Sequence, residues 1–261
     1  MKIAACVKIT PATDSRISIL ADGTGIDASG IKWIISPYDQ VAIEQAVLLA
    51  EANKGTEVVI VTVGDDNAVA QLRAGALAVG GDRAVLVQDA ALANSDNLGV
   101  AKALAAVLKK EAVDLAFFGK VAVDDDASQV PGMAAELLGW PQVSSASKFE
   151  LAGSGFTAVR AVGGGMEQEV RGSFPVVITA DRDLAVPRYA KLPQIMKAKK
   201  KKVDTLSLSD LGLSAGDVAP KVAVSSYALP PSREKVTLLG GSAQEAAAEL
   251  VRRLRDEAKV L

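Results

Sequence analysis

The first half of the chain alternates two hydrophobic patterns. Short β-branched runs read as strands at Lys2 to Val7, Glu57 to Val63, Arg83 to Val87 and Asp114 to Phe118. Between them, apolar residues recur at helical spacing. Val41, Ile43, Ala46, Val47 and Ala50 mark one such face, opened by Ser36-Pro37-Tyr38-Asp39. Ser36 is the expected N-cap, Pro37 suits the first helical position, and Asp39 completes a spacing like that of a capping box. Further helices are expected over Asn67 to Val79, closing on Gly80-Gly81, over Asn97 to Lys110, capped by Ser95 or Asp96, and over Gln129 to Leu138. Asp114 to Phe118 is almost wholly apolar, as suits a strand covered on both faces. This alternation predicts an α/β fold with a doubly wound, mainly parallel sheet. Such sheets bind ligands beyond the carboxyl ends of their strands, which directs attention to residues 8–12, 64–67 and 119–129.

After Trp140-Pro141 the texture changes. Phe149 to Leu151, Phe156 to Val162 and Glu167 to Arg171 read as short antiparallel strands joined by glycine-rich turns, and Pro175 to Ala180 as one more apolar strand. From Asp204 onward the chain is loop-rich, with Pro220, Pro230 and Pro231, until a helix from about Gln244 that Ser242 and Glu245 can cap. The expected division is an α/β body over 1–203 and an extended C-terminal arm with a final helix over 204–261. An arm with little core of its own fits a chain that wraps a partner subunit.

Composition narrows the chemistry. Of 261 residues 49% are hydrophobic, enough for a sizeable core, yet only 4% are aromatic, which favours close-packed helices on a sheet over an aromatic-rich sandwich. The formal net charge of −2 gives no global pull toward nucleic acid. With no histidine, His-based general base catalysis, His-ligated metal and the usual catalytic triad are excluded. Cys6 is the one cysteine, so neither an internal disulfide nor a thiolate metal cluster can form, and its place in Ile3-Ala4-Ala5-Cys6-Val7 suits a core residue. No run reaches the ~18 apolar residues of a membrane span, and the N-terminus enters a strand without an apolar leader. A soluble protein, cytoplasmic in a bacterium, is expected.

Two segments carry candidate chemistry. The first is Gly119-Lys120-Val121-Ala122-Val123-Asp124-Asp125-Asp126-Ala127-Ser128-Gln129, leading into Val130. Glycine permits close backbone approach, amides at the following helix N-terminus can hold a phosphate, and Lys120 can balance its charge. Three adjacent carboxylates oppose a phosphate, so they are not expected all to face it: one would cap the helix and another could accept from ribose hydroxyls. An ordinary capped turn fits the same pattern, and a magnesium site would lack further ligands. The second segment runs from Pro187-Arg188-Tyr189 through Leu192, Pro193, Ile195, Met196 and Lys197 to Lys199-Lys200-Lys201-Lys202. A lysine run is ordinarily a solvated face, less often a nucleic-acid patch. Apolar residues beside it would suit docking of an acidic partner if exposed, or core if buried.

Both segments resemble electron-transfer flavoprotein β subunits. Ala180-Asp181 through Pro187-Arg188-Tyr189-Ala190-Lys191-Leu192-Pro193 to Lys202 is similar to that family's recognition loop. Gly119-Lys120 with Asp124-Asp125-Asp126 is similar to its AMP-binding loop, and Ser36-Pro37-Tyr38-Asp39 and Cys6-Val7-Lys8 match its other nucleotide-contacting stretches. The likeness covers essentially the whole chain. It implies a Rossmann-like adenine-nucleotide-binding fold and a structural AMP contacted by Cys6, Ser36 to Asp39, Val63 and Gly119 to Val130. It implies Leu192 as an apolar anchor for client dehydrogenases, with Arg188, Tyr189, Pro193, Ile195, Met196 and Lys197 around it. FAD would be held chiefly by an α subunit in an obligate heterodimer, with Tyr38 and Thr13 toward the flavin. The clients would be acyl-CoA and other flavin dehydrogenases of fatty acid β-oxidation, and a membrane quinone oxidoreductase the acceptor, with no catalytic residues, nucleic acid or membrane insertion. The family often has an acidic residue at the turn matching Gly163-Gly164-Gly165, and some members a tyrosine at Thr13; this chain has neither. The alternatives are an electron-bifurcating β subunit with a second FAD and a stand-alone ATP-using enzyme of the same fold. The latter needs a glycine-rich loop where this chain reads Lys8-Ile9-Thr10-Pro11-Ala12.

Overall fold

The computed structural model describes residues 1–233 and 235–261. In chain order the elements are β1 (Lys2–Cys6), β2 (Ile9–Pro11), β3 (Trp33–Ile35), α1 (Pro37–Ala52), β4 (Glu57–Val63), α2 (Asn67–Ala74), α3 (Ala76–Val79), β5 (Arg83–Val87), α4 (Asn97–Lys110), β6 (Leu115–Gly119), α5 (Val130–Leu138), β7 (Gln142–Ala152), β8 (Gly155–Gly163), β9 (Met166–Ser173), β10 (Val176–Ala180), α6 (Leu192–Ala198), β11 (Val203–Leu206) and α7 (Ala243–Asp256). Nine strands form one sheet in the order β11-β5-β4-β1-β6-β10-β7-β8-β9. Pairing is parallel from β11 to β7, and β8 and β9 add an antiparallel extension. The doubly wound, mainly parallel α/β fold expected above is the one observed.

Alternation along the central strands builds the two faces. In β1, Ile3 and Ala5 join one buried cluster, together with Ile43 and Val47 of α1, Leu77 of α3 and Phe117 of β6. Ala4 and Cys6 join the other, under Leu104 and Leu108 of α4 and Ala134 of α5. Small residues at these positions bring helices close to the sheet. At one end of the first cluster Phe149 meets Phe117 edge-on, with ring centroids 5.3 Å apart, and stacks on Phe156 at 5.4 Å.

Several elements differ from expectation. Residues 67–79 form two helices broken at Gly75, where a Cβ would lie 2.9 Å from Ile35 Cδ1 and 3.1 Å from the Gln71 carbonyl. The close approach of β3 requires a glycine there and turns the helix. The antiparallel pairing of β2 with β3 across residues 12–32 was not anticipated, since its strands are three residues each. β7 starts at Gln142 rather than Phe149 because its first half runs parallel to β10. A bulge at Ser145, whose φ is 55°, lets it change partners, and Thr179 Oγ1 accepts the displaced Ser145 N–H at 2.7 Å. β11 pairs with β5, so the division expected at 203/204 falls inside a sheet strand, and Leu208 and Val218 are still buried on the α4 side.

Beyond Val218 no residue is buried among the described residues. Residues 219–242 contain no helix or strand among the described residues, and Val236 and Leu238 are 84% and 89% exposed. α7 has the expected capping box, Ser242 N–H donating to Glu245 Oε2 at 2.7 Å, but buries no residue. β9 is exposed along nearly its whole length and forms a bare sheet edge. No helix is long and apolar enough to cross a membrane among the described residues. Deleting residues 242–261 should therefore leave the urea midpoint of the α/β body essentially unchanged, as followed by tryptophan fluorescence. A large fall would show that α7 packs on the body.

Candidate functional site

The order of strands reverses at β1. From β1 the chain moves outward to β4 and β5, then returns to β6 on the opposite side. The register ends at Ala5↔Phe117, and beyond it the two strands part. Into this opening α1 brings its first turn. Asp39 spans the gap: Oδ2 accepts the Lys8 N–H at 2.7 Å and Oδ1 accepts the Gly119 N–H at 2.8 Å. A Cβ on Gly119 would collide with this carboxylate and lie 2.8 Å from Tyr38 Cβ, so the site admits only glycine.

Asp39 therefore does not complete a capping box. Its carboxylate is drawn to the strand ends, Ser36 makes no side-chain cap, and the buried Ser36 Oγ has no hydrogen-bond partner among the described residues. Ser36 N–H instead donates to the Lys8 carbonyl at 3.0 Å. Burial pushes the Asp39 pKa up, to about 7, against the pull of the two N–H donors and of the Lys8 charge.

The loop after β6 closes across the opening. Lys8 Nζ lies 2.9 Å from Asp124 and 3.1 Å from Asp125. Burial opposes the Lys8 charge, but the two carboxylates outweigh it and hold its pKa above the usual lysine value. Asp125 Oδ1 also accepts the Ala127 N–H at 3.1 Å, while Asp126 is exposed with φ of 49°. None of the three aspartates caps α5, contrary to expectation. The N-cap is Gln129, without a side-chain bond to the first amides, because the carboxylates have turned back to Lys8. Beside this uncapped end lies a cleft of about 580 Å³, lined among others by Lys120, Ser128, Gly132, Ser144 and Thr179.

Lys120 is also engaged: Nζ sits 3.0 and 2.9 Å from the Asp181 oxygens and 5.2 Å from the centre of the Tyr38 ring. Cys6 ends β1, Val63 ends β4 and Pro37 begins α1, so these residues gather with the 119–130 loop at the carboxyl ends of the central strands. Cys6 is 2% exposed, and burial, aided by Asp39, pushes its thiol well above the usual range, which suits packing rather than nucleophilic chemistry. Among the described residues no group of acidic and cysteine side chains could hold a metal ion.

On another part of the surface, α6 presents Leu192 and Met196, 72% and 54% exposed, with Tyr189 96% exposed just before it. Pro193 and Lys197 are exposed, and Ile195 is half-buried against the core. Arg188 is not a free cation: its guanidinium is shared between Glu44, at 2.7 Å, and Glu51, at 2.6 Å. Sequence reasoning missed Glu44, Asp181 and the pairing of Lys8. For Glu44 a signal existed, because it lies three residues from both Val41 and Val47, and a carboxylate on an apolar face needs a partner.

Asp39 sets a pH dependence. A folded-state pKa raised above the unfolded value favours the native state at low pH, and that contribution is lost as pH rises from about 4 through about 7. Asp39→Asn removes the titration but turns an amide N–H₂ toward one backbone donor, costing about 1–3 kcal/mol. Urea denaturation across this range should show the stability gap between wild type and variant narrowing as pH rises. A gap that widens would mean the bridge is strongest when ionised.

Comparison with known proteins follows this geometry. A family model described as "Electron transfer flavoprotein domain" matches residues 24–211. The electron transfer flavoprotein subunit beta of Bradyrhizobium diazoefficiens is 39% identical over 261 residues, covering 100% of both chains. That of Bacillus subtilis is 40% identical over 249 residues, 95% of this chain and 96% of its own. The human protein of the same name is 38% identical over 248 residues, 94% and 93% of the two chains. With a matching fold and relatives along its whole length, the chain belongs to the electron transfer flavoprotein β-subunit family.

Proposed function

We propose that this chain holds a structural AMP, supports a FAD-bearing α subunit and docks client dehydrogenases, passing electrons toward a membrane quinone oxidoreductase. The exposure of Leu192 carries the reading, because a carrier needs an apolar anchor that is free between encounters. Burying one leucine is worth about 1.5–3 kcal/mol, which suits a transient complex. The exposed lysines 197, 199 and 200 beside it would favour approach of acidic client surfaces.

The AMP reading is supported by the opening between β1 and β6, the uncapped start of α5 and the unpartnered Ser36 hydroxyl. A phosphate would seat at the Val130 and Gly132 amides. Lys8 already occupies two of the three carboxylates, which removes much of the repulsion the loop would otherwise exert. Cys6, Val63 and the Ser36–Asp39 turn would border the nucleoside. AMP supplies no redox chemistry there; it would fill the opening that Asp39 spans. Tyr38 and the exposed Thr13 would face the α subunit's flavin, and the arm over 219–242 with α7 would wrap that subunit. The chain then acts as a carrier half without its own catalytic residues, in the bacterial cytoplasm, serving acyl-CoA dehydrogenases of fatty acid oxidation.

Acid extraction of the co-expressed heterodimer should release one AMP and one FAD. Two flavins per heterodimer would replace this reading with the second-flavin type, and ATP turnover with an enzyme. Leu192→Ala should raise the KM of the carrier for a dehydrogenase about ten- to a hundredfold while leaving FAD content unchanged. Loss of FAD with KM unaltered would refute the anchor.

A further inference from the structure

α6 spans seven residues, too few for a helix to persist by itself. Both of its ends are nonetheless held by charged groups from distant parts of the chain. At the C-terminal end, Arg73 from the last turn of α2 donates through Nη1 to the carbonyls of Ala198 at 3.0 Å, Lys199 at 2.5 Å and Lys201 at 3.1 Å. These carbonyls lie at and just past a helix end, where a cation also meets the negative pole of the helix; that of Ala198 also accepts the Lys201 N–H at 3.1 Å. Lys201 returns the contact, its Nζ donating to the carbonyls of Leu77 at 2.9 Å and Gly81 at 2.6 Å around the end of α3.

The other clamp precedes the N-terminal end. Arg188 donates through its side chain to both Glu44 oxygens and through its backbone N–H to Glu44 Oε2 at 3.2 Å, and it reaches Glu51 as well. The Glu44 side chain is 5% exposed, so without Arg188 it would be a buried carboxylate lacking its main partner. Lys191 N–H then donates to Gln194 Oε1 at 2.8 Å, tightening the first turn. Between the clamps Ala198 is fully buried while Leu192 and Met196 point outward.

We propose that Arg73 and the Glu44–Arg188 pair are positioning residues that preorganise α6 for client docking. They act through the helix and touch no client. A loose segment would have to be ordered at each encounter, which weakens association; a clamped one presents Leu192 already in place. This proposal rests on the docking role given to α6 above.

The test uses the FAD-loaded heterodimer with a flavin-containing acyl-CoA dehydrogenase, comparing Arg73→Ala, Arg73→Lys, Glu44→Gln and Leu192→Ala. Amide hydrogen exchange over residues 192–201 and the KM and kcat for reduction of the carrier are measured together. Arg73→Ala should speed exchange in this segment and raise KM about tenfold with kcat and FAD content kept. Arg73→Lys should recover part of both, and Glu44→Gln should shift both in the same direction as Arg73→Ala. If Leu192→Ala raises KM but Arg73→Ala and Glu44→Gln do not, the docking role stands and the clamp idea is overturned. Unchanged exchange in Arg73→Ala overturns it as well. If Leu192→Ala itself leaves KM unaltered, the docking role is wrong and the proposal falls with it.

Discussion

A single carboxylate reaching across two diverging strands organises the working edge of this molecule. A parallel ladder provides no hydrogen bonds once its strands separate, so the first backbone N–H groups beyond a switch point need other partners. Asp39 supplies both, one oxygen to Lys8, two residues past β1, and the other to Gly119 at the end of β6. This bridge fixes where α1 begins, requires glycine at 119 and leaves Ser36 without a cap to make. It also sets the path of the following loop, whose aspartates turn to Lys8, the residue whose backbone Asp39 already holds. The opening at the sheet edge is thus the space left by a bridge.

Charged groups elsewhere follow a similar logic. Arg83 is held by Glu57 and Glu111 at the opposite, amino-terminal end of the sheet, where Lys2 joins the same two carboxylates. Each cluster lies where strands or helices finish and backbone groups or long side chains need fixing. Isolated surface pairs contribute little, whereas partly buried, multiply bonded ones set geometry. Around α6 that distinction separates Arg188, taken up by two glutamates, from Lys197 and Lys199, which stay in solvent.

Much of the fold was legible in the sequence. Strong periodicity gave the central strands and α1, α4 and α5, and local side-chain chemistry gave the Ser242–Glu245 cap and narrowed that of α4 to Ser95 or Asp96, of which Asp96 makes it. What escaped notice depended on long-range partners. Residues 36–39 match the spacing of a capping box, and only the arrival of β1 and β6 redirects Asp39. Ser145 lies before the strand expected from Phe149, and only Thr179 supplies the bond that keeps a bulged strand in the sheet there. Motif singled out the 119–130 loop and the segment around Leu192. Their electrostatics were not legible, because Lys8 and Asp124 lie 116 residues apart in the chain.

The outermost strand, β9, has a consequence for the chain on its own. Its unpaired N–H and C=O groups face outward along eight residues, and such an edge can recruit another strand. Glu167, Glu169 and Arg171, two acids and then a base at alternate positions, place charge along that margin, with Arg171 and Glu169 paired at 2.8 Å. Charge along that margin opposes edge-to-edge stacking, and high salt, which screens it, is the condition under which the chain would most readily self-associate.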